Sequence, residues 1–217
     1  YPEFNDNFHV GEVDYAPGLK VYVGIDFGLT PAATLMQQDA LGRLRVFDEL
    51  ATGDMGAVRF AELLKQKLAE YQIQEAIFTG DPAGDSRAQT DETTPFQILQ
   101  AAGIPARPAE TNDFVKRREA VVRGLTRLID GRPGLIIGTR CKQLRKAMSG
   151  GYCYRRLQVV GHEKFADVPD KNHFSHVAEA LQYGCLGAGE GRELVRNPSF
   201  SYRPQQAIGA NDPLLPD

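Results

Sequence analysis

Long apolar runs, a cysteine framework and a secretory leader are all missing from this chain. No apolar stretch of about 18 residues or more interrupts it, and its opening, "YPEFNDNFHV", has neither a basic nor an apolar region, so no membrane span or targeting signal is expected. The three cysteines, Cys141, Cys153 and Cys185, are odd in number and lack C-x-x-C spacing. That argues against a zinc cage or a disulfide framework and fits a soluble protein in a reducing, cytoplasmic setting. Internal repeats are absent too. The first residue is Tyr rather than Met, which suggests a fragment or a processed chain.

What is present suffices for one sizeable core: 217 residues, 42% of them hydrophobic, with a second full-size domain not expected. The net charge of −3 hides an asymmetry. Residues 107–156 hold 13 Lys and Arg against 4 Asp and Glu, a net of +9, and the remainder carries −12. A basic region beside an acidic remainder suits a surface that grips a polyanion, although a solvated basic helix has the same composition.

Pattern reading gives a meander of three strands at residues 21–26, 32–38 and 44–50, joined by short turns. A helix with Val58, Ala61, Leu64 and Leu68 on one stripe follows at 55–71, with Asp54 as its cap, and then a strand at 76–79 that stops at "GDPAGD". Further elements are a helix at 95–101, a short strand at 104–107, a long helix capped by Thr111 or Asn112 and running through residue 129, and a buried strand at 135–137. A short basic helix at 139–148, an extended pair at 152–160 and a last helix at 175–186 complete the order. The Pro-rich end lacks periodicity and reads as a loose tail. The fold class expected is α/β, a mixed sheet with an antiparallel meander plus parallel strands and helices on both faces.

In such sheets chemistry gathers outside the carboxyl ends of adjacent strands. Asp26 ends the first strand and Asp81 ends the fourth, with Gly24 and Gly28 leaving room for backbone or a phosphate near Asp26. Each acid alone also fits a turn. A third acid, Glu179, falls three residues after His176 in "KNHFSHVAEALQYG", on one face of the last helix, and Asp85 is a spare. An exposed Glu in a surface ion pair is the plain alternative for Glu179. Oxygen donors without thiolates suit Mg²⁺ or Mn²⁺, and two such ions can activate water and stabilise the leaving oxygen of a phosphodiester.

"GIDFG" on the first strand, "FTGDPAGDSR" on the fourth and "KNHFSHVAEALQYG" on the late helix together resemble the nuclease domain of the phage terminase large subunit, the motor of DNA packaging. The resemblance runs from about Val21 to Gly187, and its most specific part is the late Ser-His-x-x-acid-Ala-Leu-x-Tyr. It implies an RNase H-like fold that cuts double-stranded DNA with two divalent metal ions, Mg²⁺ or Mn²⁺. Asp26, Asp81 and Glu179 match the metal-binding acids, and His176 matches a histidine found near the site in some members. Glu179 stands where the family commonly has an aspartate. The resemblance also implies an ATPase half, a small terminase subunit and a portal or procapsid as partners, in the cytoplasm of an infected bacterium. The chain has no G-x-x-x-x-G-K-[ST], so it reads as an isolated nuclease half: residues 1–19 a linker remnant, 20–187 the nuclease domain, 188–217 the tail.

The basic region then reads as a DNA-binding surface. Lys116, Arg123 and Arg127 lie on one stripe of the long helix, opposite Phe114, Val121, Leu125 and Leu128, and Arg140, Lys142, Arg145, Lys146, Arg155 and Arg156 follow. Such contacts give affinity without sequence preference and weaken with salt. With only Tyr152 and Tyr154 nearby, a single-strand stacking platform is less favoured. Two alternatives stay open. "GIDFGLT" is similar to the first phosphate loop of actin-like and sugar-kinase-like ATP-binding proteins, a fold needing a duplicated half for which the chain is too short. The other is a non-catalytic RNase H-like docking module in which Glu179 marks a decayed site; junction resolvases are a further possibility within the nuclease class.

Overall fold

The structure is a computed structural model and describes residues 1–85, 93–157 and 164–193, without the side chains of Asp85, Arg156, Leu157 and Lys164. A turn of helix, α1 (Asp6–His9), leads into β1 (Val10–Gly11), and the meander β2 (Val21–Asp26), β3 (Ala32–Gln38) and β4 (Leu44–Ala51) follows. Next come α2 (Ala57–Glu70), β5 (Ile77–Gly80), a 3-10 turn at Pro82–Asp85, α3 (Pro95–Ala101), β6 (Arg107–Pro108) and α4 (Phe114–Thr126). The chain continues through β7 (Leu128–Ile129), β8 (Arg132–Pro133), β9 (Leu135–Gly138), α5 (Lys142–Lys146) and a π turn at Ala147–Gly151. The pair β10 (Tyr154–Leu157) and β11 (Lys164–Pro169) and the helix α6 (His173–Gly187) complete it.

Seven strands form one sheet in the order β1-β9-β4-β3-β2-β5-β6. The meander pairs are antiparallel, while β2 with β5, β5 with β6, β4 with β9 and β1 with β9 are parallel. β2 is buried at all six positions because helices cover both of its faces, which is why its sequence up to Asp26 is an apolar run rather than an alternation. On one face Val23, Ile25, Leu35 and Phe47 pack with Phe60 and Leu64 of α2 and Leu99 of α3. On the other, Tyr22, Met36, Val46 and Ile137 pack with α4, α5 and α6 through Val121, Leu125, Leu144, Val177 and Leu181. This is the mixed α/β, RNase H-like architecture.

Gly24 is what lets α6 lie directly on β2. A Cβ there would run into the Ala180 carbonyl and the Gly184 backbone, and one on Gly184 would meet Met36 Cε at 2.5 Å. The space beside Gly24 is therefore filled by helix backbone and not reserved for a phosphate. Gly24→Ala should force the helix off the strand at a cost of about 3 kcal/mol. For a domain of this size that lowers the thermal midpoint by roughly 6–12 °C, measurable by calorimetry.

Element borders differ from the sequence reading where a local competitor wins. Helix α2 starts two residues too late for Asp54 to cap it: Gly56 is its N-cap, without a side-chain bond, and Val58 faces solvent. Asp113 caps α4 by accepting from the Lys116 N–H, while Thr111 accepts from Asp113 and Asn112 from Tyr183. The helix ends at Thr126 because Asp130 and Gly131, both with positive φ, turn the chain into a hairpin that leaves Leu128 exposed. The expected strand at 104–107 is two residues long and shifted to Arg107–Pro108; the basic helix is five residues followed by a π turn with Gly150 at φ 126°. β10 pairs with β11 rather than within 152–160, whose last three residues lie outside the described ones. Residues 1–19 are stitched to the domain: β1 pairs with β9, and His9 Nε2 lies 3.0 Å from the Leu125 carbonyl. Residues 194–217 of the tail lie outside the described residues.

Candidate active site

Parallel pairing of β2 with β5, with Ile25 opposite Gly80, brings Asp26 and Asp81 side by side at the carboxyl ends, and the Asp81 N–H donates to the Ile25 carbonyl at 3.1 Å. Gly24 lies under α6, and Thr79 is the residue that a Cβ on Gly187 of α6 would meet. Residues two apart share a face, so Asp26 and Asp81 both point to the α6 side. Asp81 is half-buried and closes a turn by accepting from the Ala83 N–H.

The start of α6 is pinned so that its polar residues meet these acids. Asn172 caps the helix by accepting from the Phe174 N–H at 2.8 Å, and its amide donates to the Gly151 carbonyl at 3.0 Å. From there His176 and Glu179 follow one turn apart. His176 Nδ1 is 2.8 Å from Asp26 Oδ2, and Nε2 is 3.0 Å from the Thr30 hydroxyl. When Asp26 is ionised, Nδ1–H donates to it and Nε2 is the acceptor facing Thr30. Asp26 is 2% exposed, and burial pushes its carboxyl up to about 6, with the His176 bond opposing and Glu179 adding to the rise.

Glu179, also buried, looks into a polar cluster. Lys171 Nζ donates to both of its oxygens at 2.6 Å, the Tyr152 hydroxyl lies 3.4 Å from one of them, and Arg117 is 3.7 Å from the other. Arg117 is itself buried, donates to Gln182 at 2.9 Å and stacks on the Tyr183 ring at 4.9 Å. Burial raises the Tyr183 phenol well above its usual value; Arg117 opposes this, and Asp81 and Asp26 add to it. Tyr183 thus stands between the strand acids and the Arg117 cluster.

The donor chemistry fits a hard divalent cation: carboxylate oxygens from two strand ends, one of them buried and short of positive charge, with a lysine ammonium already seated on the third acid. Among the described residues, no three His, Cys, Asp or Glu side chains share a ligating position, and Glu179 is turned to Lys171. Asp85 lies outside the described side chains.

The cations of the basic region sit mainly on α4, α5 and β10, and α4 and α5 cover the same sheet face as the acids. Of the nine read as DNA-binding, four are engaged within the chain: Arg123 with Glu193, Arg127 with Glu190, Arg140 with Asp14 and Arg145 with Asp6. Lys116, Lys142, Lys146 and Arg155 make no ion pair with a described residue, and the Arg156 side chain is outside the description. Thr30, Arg117, Lys171 and Tyr183 are the residues of the site that sequence reasoning missed. Arg117 had a signal: with Val121, Gly124 and Leu125 it occupies the buried stripe of α4 at helical spacing.

The fold is that of the nuclease domains of phage large terminases. The large terminase of the thermophilic bacteriophage D6E matches 84% of this chain with a TM-score of 0.63 at 19% identity, over 42% of its own length. The nuclease domain of the P22 large terminase matches 89% of the chain over 95% of its own, at a TM-score of 0.57 and 13% identity. The g2p nuclease domain of bacteriophage SPP1, solved with bound Mn, matches 82% over 95% at a TM-score of 0.54 and 14% identity. The chain spans less than half the length of the D6E protein. No protein-family model and no curated protein sequence matches it.

Proposed function

We propose that this chain is the nuclease part of a terminase large subunit: an endonuclease that hydrolyses phosphodiesters of double-stranded DNA with two divalent ions, Mg²⁺ or Mn²⁺. The observation that carries the reading is the placement of Asp26 and Asp81 on adjacent parallel strand ends opposite His176 and Glu179 of α6, in a fold shared with terminase nuclease domains. Asp26, Asp81 and Glu179 would hold the ions. When bound, these would polarise the scissile phosphate and lower the pKa of an attacking water.

The chain's own residues do the rest. Asp26 fixes the imidazole of His176 in orientation and, once ionised, in tautomer, so that Nε2 is the free base of the ring. Thr30 satisfies that base until a water takes its place. Hydrolysis then makes a bond from the water oxygen to phosphorus, breaks the bond to the leaving oxygen and releases one proton, which Nε2 is placed to accept. Lys116, Lys142, Lys146 and Arg155 offer cations to the backbone phosphates, while Arg123, Arg127, Arg140 and Arg145 must exchange a protein carboxylate for one. The reading brings with it an ATPase half, a small subunit and a portal or procapsid as partners, in the host cytoplasm. Among the described residues, no helix is long and apolar enough to cross a membrane.

The test is nicking of supercoiled plasmid in Mn²⁺, Mg²⁺ and EDTA, with Asp26→Ala, Asp81→Ala and Glu179→Ala beside the wild type. Cutting in metal alone, abolished by each substitution in a folded protein, is the expected result. Plasmid that stays intact in both metals while still being bound would replace the nuclease with a docking module.

A further inference from the structure

We propose that Lys171 is a built-in competitor for the metal: its ammonium neutralises Glu179 in the metal-free protein and must leave before that carboxylate can ligate. The inference rests on the nuclease reading of the site. Three observations carry it. Both oxygens of Glu179 are taken by one ammonium at 2.6 Å, so no lone-pair direction of this carboxylate toward that side is left to a metal. The contact is asymmetric, with the Lys171 side chain 66% exposed and that of Glu179 4%; the lysine can swing into water while the carboxylate stays. The backbone around Lys171 is anchored on both sides, by the Asp170 N–H on the Cys153 carbonyl at 2.9 Å and the Asn172 amide on the Gly151 carbonyl at 3.0 Å. The side chain is therefore delivered to Glu179 from a fixed base, and its release requires only rotamer changes.

Electrostatics gives the exchange its direction. Asp26 is buried within the field of Glu179, and Lys171 is one of the charges that offset this. Arg117, at 3.7 Å from Glu179, is itself buried and has no such path into water. A divalent ion brings twice the charge of the ammonium and reaches the strand acids as well, so it displaces Lys171 once its concentration suffices. An ordinary ion pair that merely holds the α6 start would add stability and leave metal affinity untouched.

Calorimetric titration of Mn²⁺ into the whole chain near neutral pH, free of DNA, separates the two. Lys171→Met, which removes the competitor and keeps the alkyl stem, should bind Mn²⁺ roughly tenfold more tightly, the factor carried by one charge-assisted hydrogen bond. Lys171→Arg, which keeps a cation on the carboxylate, should bind like the wild type. Equal or weaker binding by Lys171→Met, with or without a lower melting point, overturns the competitor. If Asp26→Ala abolishes Mn²⁺ binding in that same experiment, the metal site itself stands. Absence of Mn²⁺ binding by every chain overturns both the competitor and the nuclease reading.

Discussion

Asp26→Asn is expected to make the metal-free protein more stable near neutral pH and, on the nuclease reading, at the same time to remove cutting. The carboxyl of Asp26 titrates at about 6 in the folded chain, because burial opposes its charge, against about 4 when unfolded. The folded state therefore binds the proton more tightly, and stability falls as pH rises between those two values and stays lower above them. Asparagine keeps the shape and an acceptor for His176 but carries no charge, so above pH 6 it should gain about 3 kcal/mol, or roughly 6–12 °C in thermal midpoint. The gain should vanish below about pH 4, where both residues are neutral. Thermal melts of the two proteins across this range, in EDTA, check the sign. Cutting in Mn²⁺ should fall at least ~10³-fold, since several kcal/mol of transition-state charge stabilisation is lost. A variant that is less stable at neutral pH would mean that the buried carboxylate is better compensated than its surroundings suggest.

Arg117→Met should do the opposite and destabilise the domain strongly. The guanidinium is buried, donates to Gln182, stacks on Tyr183 and lies 3.7 Å from Glu179. Methionine fills part of the volume but leaves Glu179 with a single partner cation and Gln182 without its donor. Breaking one side of a buried ion pair costs about 3 kcal/mol or more, a loss of roughly 6–12 °C for a chain of this length. Glu179→Gln in the same background should restore part of that loss, because the uncompensated charge is gone. Calorimetry on the two single variants and the double one measures the coupling. Additive losses would place the contribution of Arg117 in its packing and its bond to Gln182, not in the charge of Glu179.

Which parts of this molecule could be read from the sequence follows from how local their causes are. β2 and β3 have the expected borders because a run of β-favouring residues ends at a turn on each side, and α3 does because Thr94-Pro95 starts it with a capping box. The convergence of Asp26 and Asp81 was legible as well, since strand order places equivalent ends together. The surroundings of Glu179 were not. Lys171 and Tyr152 come from a polar stretch without period, and what brings them to α6 is the pairing of β10 with β11 across residues that no pattern marks. Arg117 was hidden by the expectation that arginines face water. Gly24 was read as room for backbone or a phosphate, and only the docked helix shows that backbone takes it. The clustering of cations is plain in the sequence, but the pairing of Arg127, Arg123, Arg145 and Arg140 with Glu190, Glu193, Asp6 and Asp14 depends on tertiary neighbours far away in sequence.

Asp26 and His176 lie 150 positions apart and yet share a hydrogen bond. Within this span β2 is made well before α6, so the growing chain holds the Asp26 carboxylate without its imidazole partner until α6 emerges. Closing so long a loop is slow relative to local helix formation. On the nuclease reading, the Asp26–His176 pair would therefore form only when α6 docks over Gly24, and a chain ended before α6 would lack it. Long-range assembly of this kind would make the completed site a report that the sheet and its covering helix have come together.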